Sequence, residues 1–137
     1  IIYGDGQQKR CFSYYIDDID PLYKMAFSDK VVGEIINIGP DNEFITIKEL
    51  AEKIARIIKF DLNPRKLPDR PQEVKYANCS ADKARKLLNY DPKYELDDAL
   101  KEMVDYIQFR GVKPFKYHLD IEIQNNKTPK SWSDKMY

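Results

Sequence analysis

The stretch Gly4-Asp5-Gly6-Gln7-Gln8-Lys9-Arg10, running directly into Cys11-Phe12-Ser13-Tyr14-Tyr15-Ile16-Asp17-Asp18, decides how this chain is read. It has the pattern of a tight glycine turn, a strand and an acidic helix start. Glycines on both sides of Asp5 permit positive φ, or a backbone lying close to a ligand. Gln8 and Arg10 then emerge at the mouth of the turn, and an amide beside a guanidinium suits a phosphorylated ligand. An ordinary surface turn ahead of an aromatic strand has the same residues, so both readings stand at this point. A dinucleotide fingerprint does not fit, because GxGxxG from Gly4 requires glycine where Lys9 stands and a longer strand ahead of it.

The composition sets the frame around that turn. The 137 residues are 42% hydrophobic and 34% charged, which suits one soluble domain with a core. Lysine plus arginine number 23 and aspartate plus glutamate 23, so no global field favours nucleic acid or an acidic membrane, and any anion site must be local. Cys11 and Cys79 lie in unrelated segments without metal-ligand spacing, which predicts reduced, structural thiols in a cytoplasmic protein. No apolar run is long enough to span a membrane, and the opening Ile1-Ile2-Tyr3 predicts a chain cut from something longer.

Working outward, residues 1–3 and 11–16 are predicted strands, the second with Phe12, Tyr14 and Ile16 on one face. Asp17, Asp18 and Asp20 predict a helix start with Pro21 in its first turn. Capping outweighs acid–base or metal chemistry for these carboxylates. The β-branched run over 31–39 predicts a buried strand. Thr46 with Glu49 three residues on is a capping box ahead of helically spaced Ile47, Leu50, Ala51, Ile54 and Ile58. Three prolines at 64, 68 and 71 stiffen a loop that carries Arg65, Lys66 and Arg70. Residues 73–79 predict a short strand, Ser80 caps a helix through Leu87 and Leu88, and Leu96 to Ile107 define another helix closed by Gly111 and Pro114. From Phe115 the pattern gives way to an aromatic and polar tail containing His118, which receives no role.

GDGQQKRCFSYYIDD, GEIINIG, the capped helix from Thr46, PDRPQEV and CSADKARKLL, in that order, together resemble one family. They are similar to the C-terminal part of the extended short-chain dehydrogenases/reductases acting on nucleotide sugars, the UDP-glucose 4-epimerase-like epimerases and dehydratases, over about residues 1–110. The resemblance implies a small mixed α/β substrate-binding lobe over 1–114, without the Rossmann domain, and a tail over 115–137. It implies a UDP-sugar as the partner, NAD in the parent enzyme but not in this chain alone, and a homodimeric parent. By matching motif, Arg10 and Arg70 correspond to arginines that clamp the diphosphate, Glu73 to a ribose ligand, Ile2 and Tyr3 to the strand bordering the base, and Gln8 to a looser substrate contact.

The chemistry of these side chains agrees with that assignment. Two guanidinium forks from separate loops can each bond one side of a diphosphate, and Arg70 between two prolines loses less entropy when it does so. None of the ten tyrosines has lysine four places later, so the pair that would generate a phenolate base is missing. The chain as given is therefore expected to bind without catalysing. The alternative is a structural or interaction module that keeps the lobe's core.

Overall fold

In the computed structural model, which describes residues 1–114 and 124–136, the glycine turn joins two strands of two residues each, β1 (Ile2–Tyr3) and β2 (Lys9–Arg10). The two strands enter different sheets. β1 pairs in parallel with β4 (Lys66–Leu67), placing Ile2 opposite Lys66. β2 is the middle of three strands, antiparallel to β3 (Ile45–Thr46) and parallel to β5 (Tyr76–Ala77). Because β1 runs beside β4 and β2 beside β5, their two connections must lie side by side. The Gly4–Gln8 turn and the 68–75 loop are stapled together at both ends, where Gly4 N–H donates to the Leu67 carbonyl and Lys9 N–H to the Lys75 carbonyl, each at 2.8 Å.

Helices pack around this pair of connections. The helix α2 (Ile47–Ile57) starts on the capping box read from the sequence. Glu49 N–H donates to Thr46 Oγ1 at 3.0 Å, and Thr46 N–H donates back to Glu49 Oε2 at 2.7 Å. It ends where Lys59 turns left-handed at φ 54°. Helix α4 (Leu96–Arg110) packs on α2 and stops at Gly111, and Lys53 of α2 donates to Asp97 of α4 at 2.5 Å. Between them in sequence, α3 (Asp82–Leu88) buries Ala84 and Leu88. Ala81, Ala84 and Tyr90 form a core against which Ile36 and Ile38 rest. Burial and nearby Asp18 push the Tyr90 phenol up to about 12. A short helix, α5 (Lys130–Ser133), lies in the tail. No helix among the described residues is long and apolar enough to cross a membrane. His118 lies outside the described residues.

Several expectations are corrected. The ladder predicted over 11–16 ends at Arg10, because β3 and β5 each offer β2 only two residues. The chain is helical from Tyr15, in α1 (Tyr15–Met25), so Pro21 falls in its second turn, where it removes the N–H that would bond the Asp17 carbonyl. Nor does Asp17 cap its own helix. Its carboxylate accepts the Lys93 and Tyr94 N–H groups at 2.9 and 3.0 Å, tying the loop before α4 to α1.

The 31–39 run is not a strand. A 3-10 turn covers Asp29–Val31, and no strand among the described residues pairs with residues 32–39. The period of two survives as a facing preference only: Ile36 and Ile38 turn inward, while Ile35 is 88% exposed. Of the 73–79 strand only Tyr76–Ala77 is formed. Ser80 lies one residue outside the cap of α3. Its hydroxyl accepts from Asp82 N–H at 3.1 Å, and the Ala81 N–H is taken by Asp41 at 2.9 Å. The Arg85 guanidinium and that backbone bond together hold the Asp41 carboxyl down at about 2.

Candidate functional site

The two stapled connections enclose a cavity of about 530 Å³, lined by Gly4, Asp5 and Gln8 on one side and by Asp69, Arg70, Gln72, Glu73 and Lys75 on the other. The sequence spacing explains how it is built. Pro68 and Pro71 fix the backbone around Arg70, and Gln72 turns left-handed at φ 59°, so Arg70 and Glu73 meet across the bend. Arg70 Nη2 donates to Glu73 Oε1 at 2.6 Å.

Gln8 reaches over from the glycine turn to the same carboxylate. Its Nε2 donates to Glu73 Oε2 at 3.0 Å and to the Tyr3 carbonyl at 3.0 Å, so both amide protons are used and the amide orientation is fixed. That leaves the Gln8 Oε1 acceptor buried without a partner, in a residue only 8% exposed. The Arg70 Nε donor is likewise buried and unpaired. Gln8 and Arg70 both line the cavity, but these two atoms are themselves shielded, so a sugar hydroxyl and a phosphate oxygen reach them only if the side chains shift as an occupant enters.

Arg10 stands behind this arrangement. Its Nη2 donates to the Val74 carbonyl at 2.7 Å, its Nη1 to the Lys9 carbonyl at 2.7 Å and the Lys75 carbonyl at 3.4 Å, and it lies 3.9 Å from Glu73 Oε1. It therefore braces the 73–75 backbone and adds positive charge to the carboxylate that Arg70 holds. Tyr3 lies under Arg70: the Arg70 guanidinium carbon sits 4.9 Å from the centre of its ring. Ile2, 6% exposed, points into the core beneath Gly6, whose position would bring a Cβ within 3.1 Å of Ile2 Cγ2. Of the six residues singled out in the sequence, Tyr3, Gln8, Arg10, Arg70 and Glu73 converge, and Ile2 lies below them. Lys75 and Gln72 also line the cavity. Their only sequence signal is adjacency to the proline loop.

The glycine turn itself does not cradle a dinucleotide. A Cβ at Gly4 would lie 1.8 Å from Asp69 Oδ1, so the glycine there serves the close approach of the 68–75 loop. A larger groove of about 810 Å³, lined mainly by Tyr14, Tyr15, Leu50, Leu96, Leu100 and Met103, has no cation. Its one carboxylate, Glu102, already accepts from Tyr14 at 2.5 Å and pushes that phenol's pKa up. It offers a phosphate nothing. No group of three or more His, Cys, Asp or Glu side chains among the described residues could hold a metal ion.

Comparison with known proteins adds what geometry alone cannot. No family model matches the chain. Among solved structures, it is similar to UDP-glucuronic acid 4-epimerase from Bacillus cereus in complex with UDP-glucuronic acid and NAD, at 32% identity and a TM-score of 0.73 over 80% of this chain and 35% of that one. It is similar also to UDP-glucose 4-epimerase from Thermotoga maritima with UDP-glucose, at 26% identity and a TM-score of 0.72 over 80% and 34%. A third is UDP-N-acetylglucosamine 4-epimerase from Methanobrevibacter ruminantium in complex with UDP-N-acetylmuramic acid, at 25% identity and 0.71 over 80% and 34%. The chain spans about a third of the length of each of these three structures.

Proposed function

We propose a role for a chain that belongs to the extended short-chain dehydrogenases/reductases of the nucleotide-sugar epimerase and dehydratase family: it is the lobe that grips the nucleoside diphosphate of a UDP-sugar. The observation that carries this reading is the cavity in which Arg70, Glu73 and Gln8 meet with one donor and one acceptor unsatisfied. Arg70 Nε faces a phosphate oxygen, Gln8 Oε1 accepts from a hydroxyl, and Glu73 takes a ribose hydroxyl while keeping Arg70 oriented. Arg10 acts from behind by fixing the loop and strengthening the local positive field. The Ile2–Tyr3 strand borders the base with its backbone, the Ile2 side chain being buried in the core.

In the parent protein the sugar is oxidised and re-reduced through NAD. This chain has no lysine four residues after any tyrosine and no GxGxxG fingerprint at its glycine turn, so its residues bind and orient while the redox step belongs to a cofactor domain. The exposed apolar face of α1 supports such a partner. Ile19, Leu22 and Tyr23 of α1, with Phe27 just beyond it, are 55–76% exposed, as expected of a surface that another domain covers.

Calorimetric titration of UDP into the 137-residue chain tests the reading. Arg70→Ala is expected to weaken binding by ~1.5–3 kcal/mol, between about tenfold and a hundredfold, for a lost charged hydrogen bond. An affinity unchanged by Arg70→Ala would refute it.

A further inference from the structure

We infer that Ser131, in the tail, is a positioning residue for the phosphate-binding guanidinium: acting through Tyr3, it fixes where Arg70 stands. Both polar groups of Ser131 converge on one phenol oxygen. Its N–H donates to Tyr3 Oη at 3.0 Å, and Tyr3 Oη donates to Ser131 Oγ. Ser131 is 1% exposed although it sits in a four-residue helix near the chain's end, so the tail is seated there and does not merely trail past. At the other end of Tyr3, its carbonyl accepts from Gln8. The aromatic platform under Arg70 is thus held at its hydroxyl by the tail and at its backbone by the cavity wall.

The consequence is directional. The Arg70 Nη2 atom is fixed by Glu73, but Nε has no protein partner, so the plane of the guanidinium is set by the Tyr3 ring on which it lies. Releasing Ser131 lets that ring move and leaves Nε free to swing from the position in which it meets a phosphate oxygen. Coupling of this kind is reciprocal: whatever orders Arg70 must also steady the tail. The chain carries its own reporter, since Trp132 is its only tryptophan and adjoins Ser131.

The coupling presupposes a diphosphate at Arg70, and two measurements separate the two ideas. In titrations, Tyr3→Phe and Ser131→Ala are each expected to weaken UDP about threefold to tenfold, the range of one neutral hydrogen bond, with Ser131→Ala leaving uridine unchanged. The double variant should be no worse than either alone, and neither change should matter in an Arg70→Ala background. Equal weakening of UDP and uridine by Ser131→Ala, or none, would overturn the positioning role. Tyr3→Phe keeps the ring and so serves if Ser131→Ala folds poorly. Without ligand, Arg70→Ala should shift Trp132 emission as Tyr3→Phe does. An emission spectrum indifferent to Arg70 overturns the coupling whatever UDP does. A spectrum that responds, in a chain that binds no UDP, upholds the link from tail to arginine and overturns the substrate reading.

Discussion

Replacing Gly4 by alanine would separate the two jobs a glycine in this turn could have. Gly4 adopts φ +62°, where an L-residue costs ~1 kcal/mol relative to glycine. An added Cβ would also lie 1.8 Å from Asp69 Oδ1 and 3.0 Å from its Cγ, so the Asp69 side chain must be displaced, for a further ~1–2 kcal/mol of overpacking. Gly4→Ala is therefore expected to destabilise the chain by ~2–3 kcal/mol in urea unfolding followed by circular dichroism, and the same change in an Asp69→Ala background by only ~1 kcal/mol. The difference of ~1–2 kcal/mol is the contact between the turn and the 68–75 loop. An identical cost in both backgrounds would refute the view that the glycine is required by the neighbouring loop.

The remaining predictions concern the scaffold and the site. Thr46→Ala removes the capping box of α2 and should cost ~1 kcal/mol by the same denaturation assay, with Glu49→Ala adding little once Thr46 is gone. Asp41→Asn should destabilise at neutral pH by ~1–2 kcal/mol, since Asp41 accepts from both Arg85 and the Ala81 N–H. The Asp41 carboxyl lies at about 2, below its ordinary 3.8, so its contribution is present above pH 3.8 and is lost as pH falls toward 2. The gap between wild type and Asp41→Asn should close over that interval, and a gap that persists at pH 2 would contradict the assignment. Glu73→Gln should weaken UDP more than inorganic pyrophosphate in parallel titrations, because only UDP carries a ribose. Equal loss for both would mean that Glu73 acts solely as the tether of Arg70.

The elements legible in the sequence are those whose signals are local. Thr46 and Glu49 marked the start of α2 because a capping box needs only four residues, and the helical spacing through α4 is equally self-contained. β1 and β5 fall inside the stretches 1–3 and 73–79 that read as strands, whereas β2, β3 and β4 escaped because each is two residues long, too short for a period, and β4 lies inside the proline loop, where nothing but its pairing with β1 makes it a strand. The 31–39 run had the composition of a strand, but pairing requires a partner edge, and alternation alone fixes only which side chains face inward.

At the site, Arg70 and Glu73 stood out because prolines frame the arginine and the motif resembles a known one. That Gln8 would share Glu73 depended on β1 and β2 each running parallel to a strand some 65 residues away. Ser131 had no signal at all. Its role arises from a contact 128 residues distant in sequence.

The most direct test is a crystal structure of the chain grown with UDP. The diphosphate is expected between the Gly4–Gln8 turn and the 68–75 loop, with a phosphate oxygen within hydrogen-bond distance of Arg70 Nε and a ribose hydroxyl on Gln8 Oε1 or Glu73. UDP bound in the apolar groove between α2 and α4, or an empty cavity at saturating UDP, would contradict the diphosphate-gripping role.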